Sequence, residues 1–149
     1  MEKIMENTAV VIITFDGYKD VWPIFFKCFE MNWPENLCKV YFVNNEASVE
    51  NKYVKTINTG IEISWSYRVR KAIEQIEEEN LIILLEDYFI DKAVDAKELV
   101  KLTRLFSKKK YDYLRLIPIP KEHCKKKKGS MYKYFFIGFP NILRLSAQQ

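Results

Sequence analysis

Apolar and polar positions alternate between two rhythms along the chain. Ala9-Val10-Val11-Ile12-Ile13-Thr14-Phe15 is a continuous apolar, β-branched run that ends at Asp16-Gly17. Such a run predicts a strand buried on both faces, as in parallel sheets. From Tyr18 to Trp33, Val21, Trp22, Phe25, Phe26 and Phe29 recur at intervals of three and four. That spacing predicts an amphipathic helix with Pro23 in its first turn and Pro34 as its stop. Val40 to Val43 predicts a second strand closed by Asn44-Asn45, and Tyr53 to Ile57 a weaker third.

The pattern then repeats. Tyr67 to Glu79 reads as a helix with Ser66 as N-cap and with Ala72, Ile73 and Ile76 inward. Leu81 to Leu85 reads as the strongest strand and runs into Glu86-Asp87-Tyr88-Phe89. Asp95 to Phe106 predicts a helix capped by Asp95, with Glu98 completing a variant of the capping box. Tyr111 to Ile117, Tyr132 to Phe136 and Ile142 to Leu145 complete the strands, with a lysine-rich loop over residues 121–130.

Strands that alternate with helices predict an α/β fold. Its form is three layers, α/β/α, around a mostly parallel central sheet. The 149 residues are expected to form one domain, and the ending without a terminal helix predicts that a C-terminal part is missing.

Composition narrows this picture. An apolar content of 48% and an aromatic content of 15% exclude a disordered chain. No apolar run reaches the roughly 18–20 residues needed to cross a bilayer, and the polar start is no secretory signal. Three scattered cysteines, Cys28, Cys38 and Cys124, predict a reducing, cytoplasmic setting. The formal charge is +4, and seven of the 24 basic residues stand in Lys108–Lys110 and Lys125–Lys128. The second cluster reads either as a solvated loop or as a peripheral contact with anionic headgroups. As a nucleic-acid site it is weak, because its flanking aromatics read as a strand.

The candidate chemistry lies at strand ends, where open α/β sheets bind ligands. Thr14, Phe15 and Asp16 follow the first strand, and Asn44, Asn45 and Glu46 follow the second. Ser64, Trp65, Ser66 and Arg68 open a helix, and Glu86-Asp87 follow the apolar strand. Asp16 reads as a nucleoside acceptor or as a turn former, Arg68 as a phosphate fork or as a solvated residue. Trp65 reads as a stacking ring or as core. Adjacent carboxylates at a strand end suit Mg²⁺ or Mn²⁺ held against a diphosphate, or mark the strand's entry into solvent. The single histidine, His123, comes without a nucleophile motif. The four glycines form neither a dinucleotide fingerprint nor a phosphate loop, so any phosphate must be held by side chains or a cation.

The ordered set resembles a known family. Val10 to Asp16, then Tyr41-Phe42-Val43-Asn44-Asn45-Glu46, then Trp65-Ser66, then Leu84-Leu85-Glu86-Asp87-Tyr88-Phe89 is similar to nucleotide-sugar glycosyltransferases of the GT-A fold. The likeness is strongest to the inverting family-2 enzymes of bacterial capsule and cell-surface polysaccharide synthesis. The resemblance implies transfer of a sugar from a nucleotide sugar, a UDP-sugar foremost, to a glycan or lipid-linked acceptor at the inner face of the membrane. It maps the donor site to Thr14, Phe15, Asp16, Asn45, Glu46, Trp65, Ser66 and Arg68. It maps the metal-binding Asp-x-Asp motif, with Mn²⁺ or Mg²⁺, to Glu86 and Asp87, with Tyr88 where the family has its second aspartate. The resemblance names no catalytic base within this chain. The alternative is a truncated, non-catalytic nucleotide-binding or assembly module.

Overall fold

The computed structural model describes residues 3–33, 37–61 and 64–109. The elements expected at 111–117, 132–136 and 142–145, and Lys125–Lys128, lie outside the described residues. In chain order the structure contains α1 (Lys3–Glu6), β1 (Thr8–Ile13), a short 3₁₀ turn (Asp16–Tyr18), α2 (Trp22–Asn32), β2 (Lys39–Asn44), β3 (Lys55–Asn58), α3 (Trp65–Ile73), β4 (Asn80–Leu85) and α4 (Ala96–Lys109).

Among the described residues four strands form one parallel sheet in the order β3-β2-β1-β4. Every residue of β1 is buried, because it has a strand on each side and helices on each face. Val10 and Ile12 point to the face covered by Met5 of α1, Trp22, Phe25 and Phe29 of α2, and Leu99 and Leu102 of α4. Ala9, Val11 and Ile13 point to the other face, with Tyr41, Val43, Ile57 and Ala72 of α3. The strand period of two thus feeds two cores at once. The coarse α/β expectation holds for these residues.

Several local expectations are corrected. The helix expected from Tyr18 begins at Trp22, because Tyr18 N donates to Phe15 O and Val21 N to Tyr18 O in the 3₁₀ turn. Pro23 does lie in the first turn of α2. Helix α3 is capped by Ser64, not Ser66: the Ser64 side chain accepts from Tyr67 N at 3.3 Å. It ends at Ile73, because Glu78 and Glu79 are drawn to partners elsewhere. Ile73, expected inward, is 45% exposed, since Arg68 and Ala72 take the inward line. Asp95 does cap α4, accepting from Lys97 N and Glu98 N, but the Glu98 carboxylate turns to Lys101 at 3.2 Å rather than closing a capping box.

Strand β4 is the most apolar in sequence, yet Ile83 is 41% exposed. Among the described residues β4 pairs only with β1 and forms the sheet edge. The order of strands reverses between β1 and β4. In parallel sheets the crevice beyond the carboxyl ends at such a reversal is where ligands bind.

Candidate functional site

Three loops meet beyond the carboxyl ends of β1, β2 and β4. Asp16 organises two of them. Its Oδ1 accepts from Asn44 Nδ2 (3.1 Å) and Asn45 N (3.2 Å), and its Oδ2 accepts from Glu46 N (3.2 Å) and Ala47 N (2.9 Å). Lys19 Nζ lies 3.7 Å from Oδ2. In return, Asp16 N donates to Asn45 Oδ1 at 3.0 Å. Three successive amides converge on one carboxylate, an anion cradle of the kind backbone nests make. Here the anion comes from the chain itself.

The clasp extends to β3. Asn58 Nδ2 donates to Asn44 Oδ1 at 3.0 Å, and Asn45 Nδ2 donates to Gly60 O at 3.0 Å. Gly60 has φ +76°, a conformation that other residues rarely adopt, so the turn depends on glycine. Asn44 is one of the expected strand-end residues, whereas Asn58 and Gly60 are not among them. Their signal in sequence is only the asparagine-rich composition after two strands, which does not show which strand pairs with which.

Arg68 and Glu86 form the second part. Arg68 is 9% exposed, and its Nη1 donates to Thr14 O at 2.5 Å. Its guanidinium lies 5.5 Å from the centre of the Phe15 ring. Burial pulls the guanidinium pKa down, while the charges of Glu86 and Asp16 oppose that shift. Glu86 is 7% exposed. Burial pushes its carboxyl up, the neighbouring Asp87 adds to the rise, and Arg68 and the Thr14 hydroxyl act against it. The Thr14 hydroxyl also accepts from Trp22 Nε1 at 2.9 Å, tying the site to α2. Burial likewise raises the Asp87 carboxyl, and Asp87 Oδ1 is buried without a hydrogen-bond donor.

Thr14, Asp16, Asn45, Arg68 and Glu86 thus come together, and the Glu46 backbone joins them. Phe15 and Tyr18 stand at the rim, 36% and 48% exposed, with ring centres 4.4 Å apart edge to face. Trp65 and Ser66 go elsewhere: they line a shallow groove with Val69, Arg70, Ile73 and Glu74, and Trp65 is 53% exposed. Arg68 reads in sequence as a phosphate fork or as a solvated residue, but it is buried and built into the site wall.

Of the two carboxylates expected to hold a cation, Asp87 is the less engaged. Asp87 offers an undonated carboxylate oxygen, whereas Glu86 already faces a guanidinium and a hydroxyl. Among the described residues no three His, Cys, Asp or Glu side chains come together as a ligand cluster. Mg²⁺ sites often use one or two carboxylates and fill the rest of the shell with water and phosphate oxygens.

The chain matches no protein-family model, no curated protein and no solved structure. Among the described residues no helix is long and apolar enough to cross a membrane.

Proposed function

We propose that this chain is a glycosyltransferase-like protein of GT-A type. It binds a nucleotide-sugar donor, a UDP-sugar foremost, beyond the carboxyl ends of β1 and β4. The observation that carries this reading is the place of the Asp16–Arg68–Glu86 assembly, at the reversal of strand order in an all-parallel sheet. The exposed ring pair Phe15–Tyr18 supplies an apolar surface for a base, and Glu46, exposed on the loop that Asp16 holds, a carboxylate for a ribose hydroxyl. Asp16 acts by shaping the loop, because both its oxygens already accept hydrogen bonds from the chain.

In such a transfer an acceptor hydroxyl attacks the anomeric carbon and the nucleoside diphosphate leaves. Mn²⁺ or Mg²⁺ held by Asp87 would supply positive charge at the departing diphosphate. Arg68 keeps the negative Glu86 compensated beside that charge. The acceptor in this reading is a glycan or lipid-linked sugar, met in the cytoplasm at the inner face of the membrane, with Lys125–Lys128 as the peripheral contact. The second reading, a nucleotide-binding or assembly module without transfer, keeps the same donor site.

A thermal-shift titration with UDP, GDP and CMP, each with and without Mn²⁺, tests the proposal. Ligand at 100 times its dissociation constant stabilises by about 2.7 kcal/mol. A rise with one nucleotide that requires Mn²⁺ and is lost in Asp87→Ala supports both donor site and metal. A rise indifferent to Mn²⁺ removes the metal, and no rise with any nucleotide removes the donor site.

A further inference from the structure

A second cleft opens at the other end of the sheet. Strand β2 begins at Lys39, but β3 begins only at Lys55, opposite Tyr41. A notch therefore forms where the edge strand is short. One wall is the last turn of α2 and the other is the Lys52–Val54 turn. Asn51 Nδ2 donates to Glu30 Oε1 at 2.7 Å and joins the walls. The floor carries backbone groups. Successive residues of a paired strand turn their N–H and C=O to opposite neighbours. Val43 O accepts from Thr14 N, beside β1, and Asn44 O accepts from Thr59 N, beside β3. Even-numbered residues of β2 thus face β3, and Val40 turns its N–H to the side where β3 has not yet begun. The cleft holds about 550 Å³, within the range of small-molecule sites.

We propose that this cleft binds a neutral pyranose, free or within a glycan chain. Its charges balance: Lys39, Lys52 and Lys55 stand against Glu30 and against Glu77 and Glu78, whose charges act on Lys39 and Tyr41. Lys39 is held 2.6 Å from Glu78. The ammonium groups of Lys52 and Lys55 lie 4.6 Å and 5.6 Å from the ring centres of Tyr53 and Tyr41. An ionic ligand entering a balanced set gives up water without gaining an uncompensated opposite charge, so the cleft suits a neutral one. Donors and acceptors still stand side by side: the Val40 amide and the lysines donate, and the Glu30 carboxylate accepts. A hydroxyl group can answer both. The half-buried rings of Trp33 and Tyr53 supply the apolar wall. Trp33 is set in place by stacking on Phe29, 5.4 Å between centres and 9° between planes. A pyranose joins a C–H face, drawn to the negative face of an aromatic ring, to a rim of hydroxyls. This cleft lies at the amino ends of the strands, so it stands or falls apart from the donor site proposed above.

The test titrates the full chain with glucose, galactose, N-acetylglucosamine, cellobiose and lactose, by calorimetry and tryptophan fluorescence. Glucuronate and the open-chain polyol sorbitol serve as controls. At least one neutral sugar binds, at least tenfold tighter than sorbitol, and a tighter disaccharide assigns the site to a glycan chain. Glucuronate binds no tighter than that sugar, and raising the salt leaves the affinity of the neutral sugar unchanged, because no charge on the ligand is screened. Trp33→Phe removes the fluorescence change. Glu30→Ala, a change at an exposed side chain, and Tyr53→Ala each weaken the binding at least fivefold. No binding of any neutral sugar, equal binding of sorbitol, tighter binding of glucuronate, or an unaltered affinity in either alanine variant would overturn the proposal.

Discussion

The Asp16 carboxylate and the Ala47 amide, 31 residues apart in sequence, meet at 2.9 Å. That bond and its three companions hold the loop after β2 against the loop after β1. Asp16→Asn places an amide nitrogen or a weaker oxygen against donors that need acceptors. An unmet buried donor costs about 1–3 kcal/mol, so urea unfolding should show a loss in that range. Amide exchange at Glu46 and Ala47 should quicken in the same variant. Unchanged protection there would mean that the loop holds its shape without Asp16.

Gly17 leaves room for the Phe15 ring rather than serving a special backbone angle. A Cβ at this position would stand 2.3 Å from Phe15 Cε2 and 2.7 Å from Cζ. The obstructing atoms are the far end of a side chain, so Gly17→Ala should move the ring and leave the fold. Global stability should change by less than about 1 kcal/mol, while the Phe15 and Tyr18 ring resonances shift as their edge-to-face contact is lost. If Phe15–Tyr18 is the base platform, nucleotide affinity falls at the same time.

The two serines at the start of α3 separate capping from mere proximity. Ser64→Ala removes the acceptor for Tyr67 N and should cost about 1 kcal/mol. Ser66→Ala, already inside the helix and exposed, should be neutral within about 0.5 kcal/mol. Thermal midpoints of the two variants decide it, and a larger effect at Ser66 would reverse the assignment.

Glu78 links β2 to the turn before β4, with Oε1 2.6 Å from Lys39 Nζ and Oε2 accepting from Tyr41 OH at 3.0 Å. Burial alone would raise its carboxyl, but the bonds from Lys39 and Tyr41 outweigh burial and hold it below the usual range. A depressed carboxyl stabilises the fold fully above its unfolded value, and that contribution is lost as pH falls through the folded value. Glu78→Gln should therefore be less stable than the native chain at neutral pH, and the difference should shrink below the ordinary glutamate range. Parallel stability curves across pH 3–7 would remove Glu78 as the source.

Legibility followed the range of the interactions. Strand β1 and helix α2 can be read from sequence because local period and burial agree there: a two-sided apolar run, then apolar positions three and four apart. The end of α3 cannot, because Glu78 and Glu79 find partners in Lys39, Tyr41 and Asn7 that only the fold brings near. The site divides in the same way. The strand-end rule locates Thr14, Asp16, Asn45 and Glu86 at one edge. It says nothing of direction, so Arg68 reads as a phosphate fork or a solvated residue although its guanidinium faces inward, and Trp65 reads as a donor-site residue although it lines another groove. Asp16 reads as a nucleoside contact or a turn former, but it is satisfied by the Asn44 side chain and by backbone amides of the loop after β2, a pairing that depends on parallel register.

That register also has a consequence in time. The wholly buried β1 pairs along its full length with β4, from Thr8 opposite Asn80 to Ile13 opposite Leu85. On a ribosome adding ~5–20 residues per second, β1 waits roughly 4–14 s for that neighbour to be made. Until then one edge of the most buried strand is open to any extended segment that meets it. Such long-range closure favours slow folding and exposure to association. The newborn chain thus has more to gain from a chaperone than its small size implies.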